Sequence, residues 1–173
     1  RVAYVFDVEQ TEGKEMTEFA ALGGDPGDQI ACLEQIGTAR GIQLDYVESL
    51  MHGANGASYG GKIEIRSSLP TPQKFSTLVH ELAHELLHRG DRRTNTTKTV
   101  RETEAESVAF VVTRAIGLEC STRASDYIQI WDGDEKVLMQ SLELIRSVAT
   151  SILTELEAKP DDRPVDPDVA AVS

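Results

Sequence analysis

The stretch STLVHELAHELLHRG, residues 76–90, decides how the rest of the chain is read. It holds three of the four histidines, His80, His84 and His88, each four residues from the next. Phe75, Leu78, Val79, Leu82, Ala83, Leu86 and Leu87 recur among them at helical spacing and form one broad apolar stripe. Thr71 and Pro72 suit a helix start, with Thr as N-cap and Pro at the first helical position, and Gly90 suits the end. On such a helix, residues four apart lie about 6 Å apart along the axis and on nearly one face. His80 and His84 can therefore aim ring nitrogens at a single ion, and Glu81, on the turn between them, can reach a water beside it. That is the mechanical content of an HExxH motif: two ligands and a general base.

His88 lies about 12 Å along the axis from His80, too far for both to share an ion. It is expected to be a helix C-terminal residue, favourably placed at the negative end of the helix dipole. A metzincin pattern would need a histidine six residues after His84, and that position is Gly90. Glu85 reads as a solvated residue, and His52, in a loop far from the motif, is assigned no role.

Catalytic zinc usually keeps three protein ligands and an open position, so a third is required. The segment VRETEAESVAFVVTRAIG, residues 100–117, reads as a second strong helix with an apolar face of Ala105, Val108, Ala109, Val112 and Ile116. Glu102 and Glu104 flank that face on opposite sides by similar angles, and Glu106 lies farther round. Periodicity leaves both Glu102 and Glu104 open.

Around these helices, Asp28 to Arg40 reads as a helix stopped by Gly41, and IQLDYVES as a short alternating strand. Ile63 and Ile65 alternate with polar neighbours behind Gly60 and Gly61, which suggests an edge strand directly before the histidine helix. A long helix is expected from about Glu135 to Glu157. The expected organisation is an N-terminal strand and linker over 1–27 joining an upstream domain, a peptidase-like domain over 28–158, and a disordered acidic Pro-rich tail over 159–173.

Forty per cent apolar content suits a globular protein, and no apolar run approaches a membrane span. The formal net charge of -12 repels phosphate backbones and argues against direct nucleic-acid binding. Cys32 and Cys120 show no CxxC spacing, which points to two reduced thiols and a cytoplasmic protein.

With both helices in view, TLVHELAHELLH at 77–88 and ETEAESVA at 102–109 resemble the ImmA/IrrE family of HExxH metallopeptidases. That family's second motif reads roughly E-x-[EQ]-A-N-x-F-A, and Glu102, Glu104, Ala105 and Ala109 line up with it. Glu106 stands where Asn is usual, and Val108 where Phe is usual. The resemblance implies Glu102 as the metal ligand, with Glu104 as second choice. A closer likeness, through VFDVEQTEG, EAESVAF and STRASDYIQIW, is to the C-terminal half of ArdC-like antirestriction proteins and covers roughly residues 1–158. There a single-stranded-DNA-binding domain precedes the peptidase-like one, which implies that this chain is a piece of a longer protein.

The expected fold is α+β and zincin-like, with three main helices on a small twisted sheet. The expected function is zinc-dependent peptide-bond hydrolysis of a protein or peptide substrate in an antirestriction or mobile-element context. His80, His84 and Glu102 hold Zn²⁺, and Glu81 is the base. Gly61 and Ile63, on the expected edge strand, are candidates for pairing with an extended substrate. Tyr59, Tyr127 and Arg92 are available as oxyanion stabilisers. The alternative is a non-catalytic, zinc-stabilised acidic interaction module; a structural site would tend to close with four protein ligands and has no use for Glu81.

Overall fold

A computed structural model describes residues 22–119 and 135–158. The expected N-terminal strand, the loop with Cys120 and Tyr127, and the expected tail lie outside the described residues. In chain order the elements are α1 (Gln29–Ala39), β1 (Gln43–Val47), β2 (Gly56–Ser58), β3 (Lys62–Arg66), α2 (Thr71–Leu87), the short α3 (Asp91–Asn95), α4 (Lys98–Ala115) and α5 (Glu135–Glu157). A single 3₁₀ turn at Met51–Gly53 precedes β2. Among the described residues the fold is α+β, with five helices and one three-stranded mixed sheet.

The sheet order is β1-β3-β2, with β3 parallel to β1 and antiparallel to β2. In β3, Ile63 and Ile65 are buried, while Lys62, Glu64 and Arg66 point to the other face. On that outer face Lys62 Nζ pairs with Asp45 at 2.9 Å and Glu64 at 2.7 Å. The inner face rests on α1 and α2.

This order corrects one expectation. The Ile63 strand is the central strand, paired on both sides, and the edge strand beside α2 is β2. Gly-Ala-Ser carries too little apolar or β-branched signal to read as a strand, and only the ladder with β3 reveals it.

The helix over 76–90 forms as its periodicity requires, burying Phe75, Leu78, Val79, Leu82, Ala83 and Leu87. Its N-cap is Pro70 rather than Thr71, which is the first helical residue and makes no capping bond. It ends at Leu87 with His88 as C-cap, and Gly90 takes a positive φ of 55° two residues later, which glycine adopts without strain. Helix α4 packs along α2, and α5 crosses α4, α1 and α2. Val108, Val112, Ile145, Ala149 and Ile152 join the core cluster there.

Candidate metal centre

The pairing of α2 with α4 brings His80, His84 and Glu102 together, so that one ligand atom from each lies within 4.8 Å of the others. The two Nε2 atoms are 3.1 Å apart. Glu102 Oε2 lies 3.6 Å from His80 Nε2 and 3.5 Å from His84 Nε2. His84 is the more enclosed imidazole, with its side chain 11% exposed, whereas Glu102 is half exposed. The three groups therefore form a small triangle at the mouth of the helix pair, with the carboxylate on the solvent side.

The electrostatics follow from that triangle. The nearby rings of His80 and His84 hold Glu102 far below the usual carboxylate range. Burial disfavours the charged form of His80, but Glu102, Glu106 and Glu81 more than offset it, and its pKa is raised to about 10. Glu106 Oε2 lies 3.0 Å from His80 Nδ1. It accepts from His80 Nδ1–H, and so turns the Nε2 edge of the ring towards Glu102 and His84.

Glu81 is buried on the β2 side of α2. Burial pushes its carboxyl pKa up, against the pull of His80 and His84. A Cβ built on Gly56 would stand 2.8 Å from both Cγ and Oε1 of Glu81 and 2.7 Å from Thr77 Cγ2. The edge strand thus lies directly on this carboxylate.

Glu104, the second choice as ligand, is elsewhere. Fully buried, it faces away from the triangle, 2.8 Å from His88 Nε2 through Oε2. It also accepts hydrogen bonds from Arg92 and, at 2.5 Å, from Ser141 of α5. Burial alone would raise its pKa; these donors outweigh that and lower it. Arg92 is committed to this carboxylate, and the exposed Tyr59 hydroxyl bonds Glu64 at 3.1 Å.

His88 stands at the C-terminal end of α2 as expected, but it is 2% exposed and bridges His84 and Glu104. Two further expectations are corrected. Glu85 is 1% exposed and accepts from Ser58 Oγ and from the backbone N–H of Gly60 and Gly61. The sequence signal for His88 and Glu85 was spacing: each lies one helical turn beyond a site residue, His84 and Glu81, and so faces the same neighbour. Gly61 and Ile63 are not free to pair with an extended substrate, because both are engaged within the fold. Ile63 is buried at 1%, and Gly61 gives its N–H to Glu85 and its carbonyl to Gln43.

No helix among the described residues is long and apolar enough to cross a membrane. No curated protein and no solved structure matches the chain significantly. A family model described as Peptidase_M78, the IrrE N-terminal-like domain, matches residues 44–130, a span that runs from β1 through the histidine helix and all of α4. With half its length under that match, and with the helix pair that gathers two histidines and a glutamate inside it, the chain belongs to the IrrE N-terminal-like family of metallopeptidase-type domains.

Proposed function

We propose that the chain is a zinc-dependent peptidase in which His80, His84 and Glu102 hold the ion and Glu81 is the general base. The observation that carries this reading is the triangle of His80 Nε2, His84 Nε2 and Glu102 Oε2. Two imidazoles and a carboxylate are the donor set of catalytic zinc sites that keep one position open. The same set also accepts manganese, iron or cobalt.

When bound, the ion supplies Lewis-acid chemistry, polarising a carbonyl and acidifying a water. The chain's own part is proton handling and orientation. Glu81 takes the proton of the attacking water and returns it to the amine nitrogen as the C–N bond breaks. Its burial, set against the two histidines, suits a carboxyl that must both accept and return a proton. Among the described residues β2 is an edge, so an extended peptide laid along Gly56–Ser58 would pass beside Glu81.

The sequence likeness to ArdC-like proteins supports a regulatory or defence protein as substrate, in an antirestriction or mobile-element setting in the cytoplasm. In such proteins an upstream domain provides contact with single-stranded DNA, a role for which a chain of net charge -12 is unsuited.

The test is metal analysis after purification without chelator or histidine tag, together with cleavage of a mixed-sequence peptide library read by mass spectrometry. About one zinc per chain is expected, with cleavage products that vanish in Glu81→Gln while zinc is retained. Zinc without any cleavage by the wild type would favour the acidic interaction module. A folded chain that binds no metal would overturn both readings.

A further inference from the structure

Behind the metal-facing atoms, a second line of polar groups runs into the protein. His84 Nδ1 lies 3.0 Å from His88 Nδ1, and His88 Nε2 lies 2.8 Å from Glu104 Oε2. The side chains of His88 and Glu104 are both 0% exposed. Glu104 also accepts from Arg92 Nη2 at 2.6 and 2.7 Å and from Ser141 Oγ at 2.5 Å. The line therefore joins α2 to α3, α4 and α5.

The donor inventory fixes where the protons sit. Glu104 faces the guanidinium of Arg92 and a hydroxyl, so it is an ionised acceptor, and the proton between it and His88 belongs to His88 Nε2. Arg92 already neutralises Glu104, and a neutral His88 leaves this buried group without excess charge. A neutral imidazole protonated at Nε2 carries its lone pair at Nδ1. His84 must then donate through Nδ1–H, which leaves the lone pair of His84 on Nε2. That is the nitrogen 3.1 Å from His80 Nε2 and 3.5 Å from Glu102.

We propose that His88 and Glu104 form a buried relay that fixes the tautomer and ring orientation of His84, and so presents its Nε2 as a metal-binding atom. The inference rests on the metal reading above and deepens it: His88 and Glu104 are positioning residues, and neither touches the ion. His80 and His84 are served by different partners, Glu106 at the surface and the His88–Glu104 pair in the core.

The relay makes a spectroscopic prediction that needs no variant. In ¹⁵N-labelled wild-type chain loaded with zinc, a ¹⁵N–¹⁵N coupling across the His84–His88 bridge is expected, with the protons assigned to His84 Nδ1 and His88 Nε2. Protons at His84 Nε2 or His88 Nδ1 would overturn the relay. In a second measurement, His88→Phe, checked for native fold by circular dichroism, should bind zinc about 10- to 100-fold more weakly. Glu104→Gln, which keeps an acceptor for His88, should restore most of the affinity that Glu104→Leu loses. Unchanged affinity in a folded His88→Phe, or equal losses in the two Glu104 variants, would overturn the relay while the metal reading stands. A wild-type chain that binds no zinc would instead sink the metal reading itself.

Discussion

Ser58 Oγ donates to Glu85 Oε1 at 2.6 Å, one helical turn along α2 from the place where Gly56 meets Glu81. Gly56 and Ser58 are alternate residues of β2 and face the same way, so their spacing of about 6.8 Å nearly matches the four-residue step of about 6 Å from Glu81 to Glu85. The edge strand therefore runs along α2 with its two inward positions set on two glutamates. One of these is the candidate base, and the other is a structural clamp that also holds the N–H groups of Gly60 and Gly61 at 2.7 Å.

The clamp should be visible in stability. Burial pushes the Glu85 pKa up, but Ser58, Gly60, Gly61 and Arg89 outweigh it and hold it below the usual range. A carboxyl depressed on folding stabilises the protein above its unfolded pKa, and that contribution is lost as pH falls through the folded value. Glu85→Ala should lower the unfolding free energy at pH 7 by about 2–3 kcal/mol, measured by urea denaturation, and the deficit should shrink in acid. Amide exchange at Gly60 and Gly61 should quicken in the variant. Unaltered exchange at both glycines would show that the clamp does not hold the turn.

Gly56 tests the other contact. Its backbone is not in the left-handed region, so Ala is not excluded by conformation. The obstacle is space, because an added Cβ would press on Glu81 and Thr77 at 2.7–2.8 Å. Either the strand retreats or Glu81 turns aside. Gly56→Ala should therefore keep zinc but lose at least about tenfold in peptide turnover, as displaced general bases do. Full turnover in Gly56→Ala would mean that Glu81 tolerates the shift or is not the base.

Much of this arrangement was legible because it depends on local period. The helix over 76–90, the helix of Glu102 and the long helix from Glu135 to Glu157 all follow from apolar spacing, and HExxH fixes which face of α2 carries chemistry. What failed to show was long-range pairing. β2 has three small residues and no signal apart from its ladder with β3, so Ile63 was mistaken for an edge. Glu85 reads as a solvated helix residue because charge suggests water, and spacing gives His88 no role beyond the helix end. Only the partners that the tertiary fold delivers, Ser58 with the glycine turn and Glu104 with Arg92, allow them to be buried. Glu102 and Glu104 had equal standing by angle, and it is the approach of α5, through Ser141, that encloses Glu104.

That last distinction is testable with a pair of alanines. Glu102 is half exposed and, among the described residues, pairs with the two histidines, so Glu102→Ala should abolish tight zinc binding yet leave the metal-free fold nearly as stable as before. Glu104→Ala strips the acceptor from buried His88 and Ser141 and the ion-pair partner from Arg92, and should cost about 1–3 kcal/mol of stability as buried donors are left unpaired. Calorimetric zinc titration and urea denaturation on both variants separate the two effects. Stronger zinc loss from a still-folded Glu104→Ala than from Glu102→Ala would transfer the ligand role.

The proton on His80 supplies the pH dependence. Its folded pKa, about 10, lies above the ordinary 6.5 because three carboxylates outweigh the cost of burial. A group raised on folding contributes stability that is complete below its unfolded pKa and is lost as pH rises through the folded one, here between about 6.5 and 10. The metal-free chain should thus lose stability across that window. Zinc needs the same nitrogen unprotonated, so binding must expel the proton, and affinity should climb about tenfold per pH unit. Zinc affinity measured by chelator competition from pH 6.5 to 8.5 checks this, with a slope of about one expected. A flat profile would mean that His80 already carries a free Nε2 lone pair at neutral pH, and that the surrounding carboxylates do not hold a proton there.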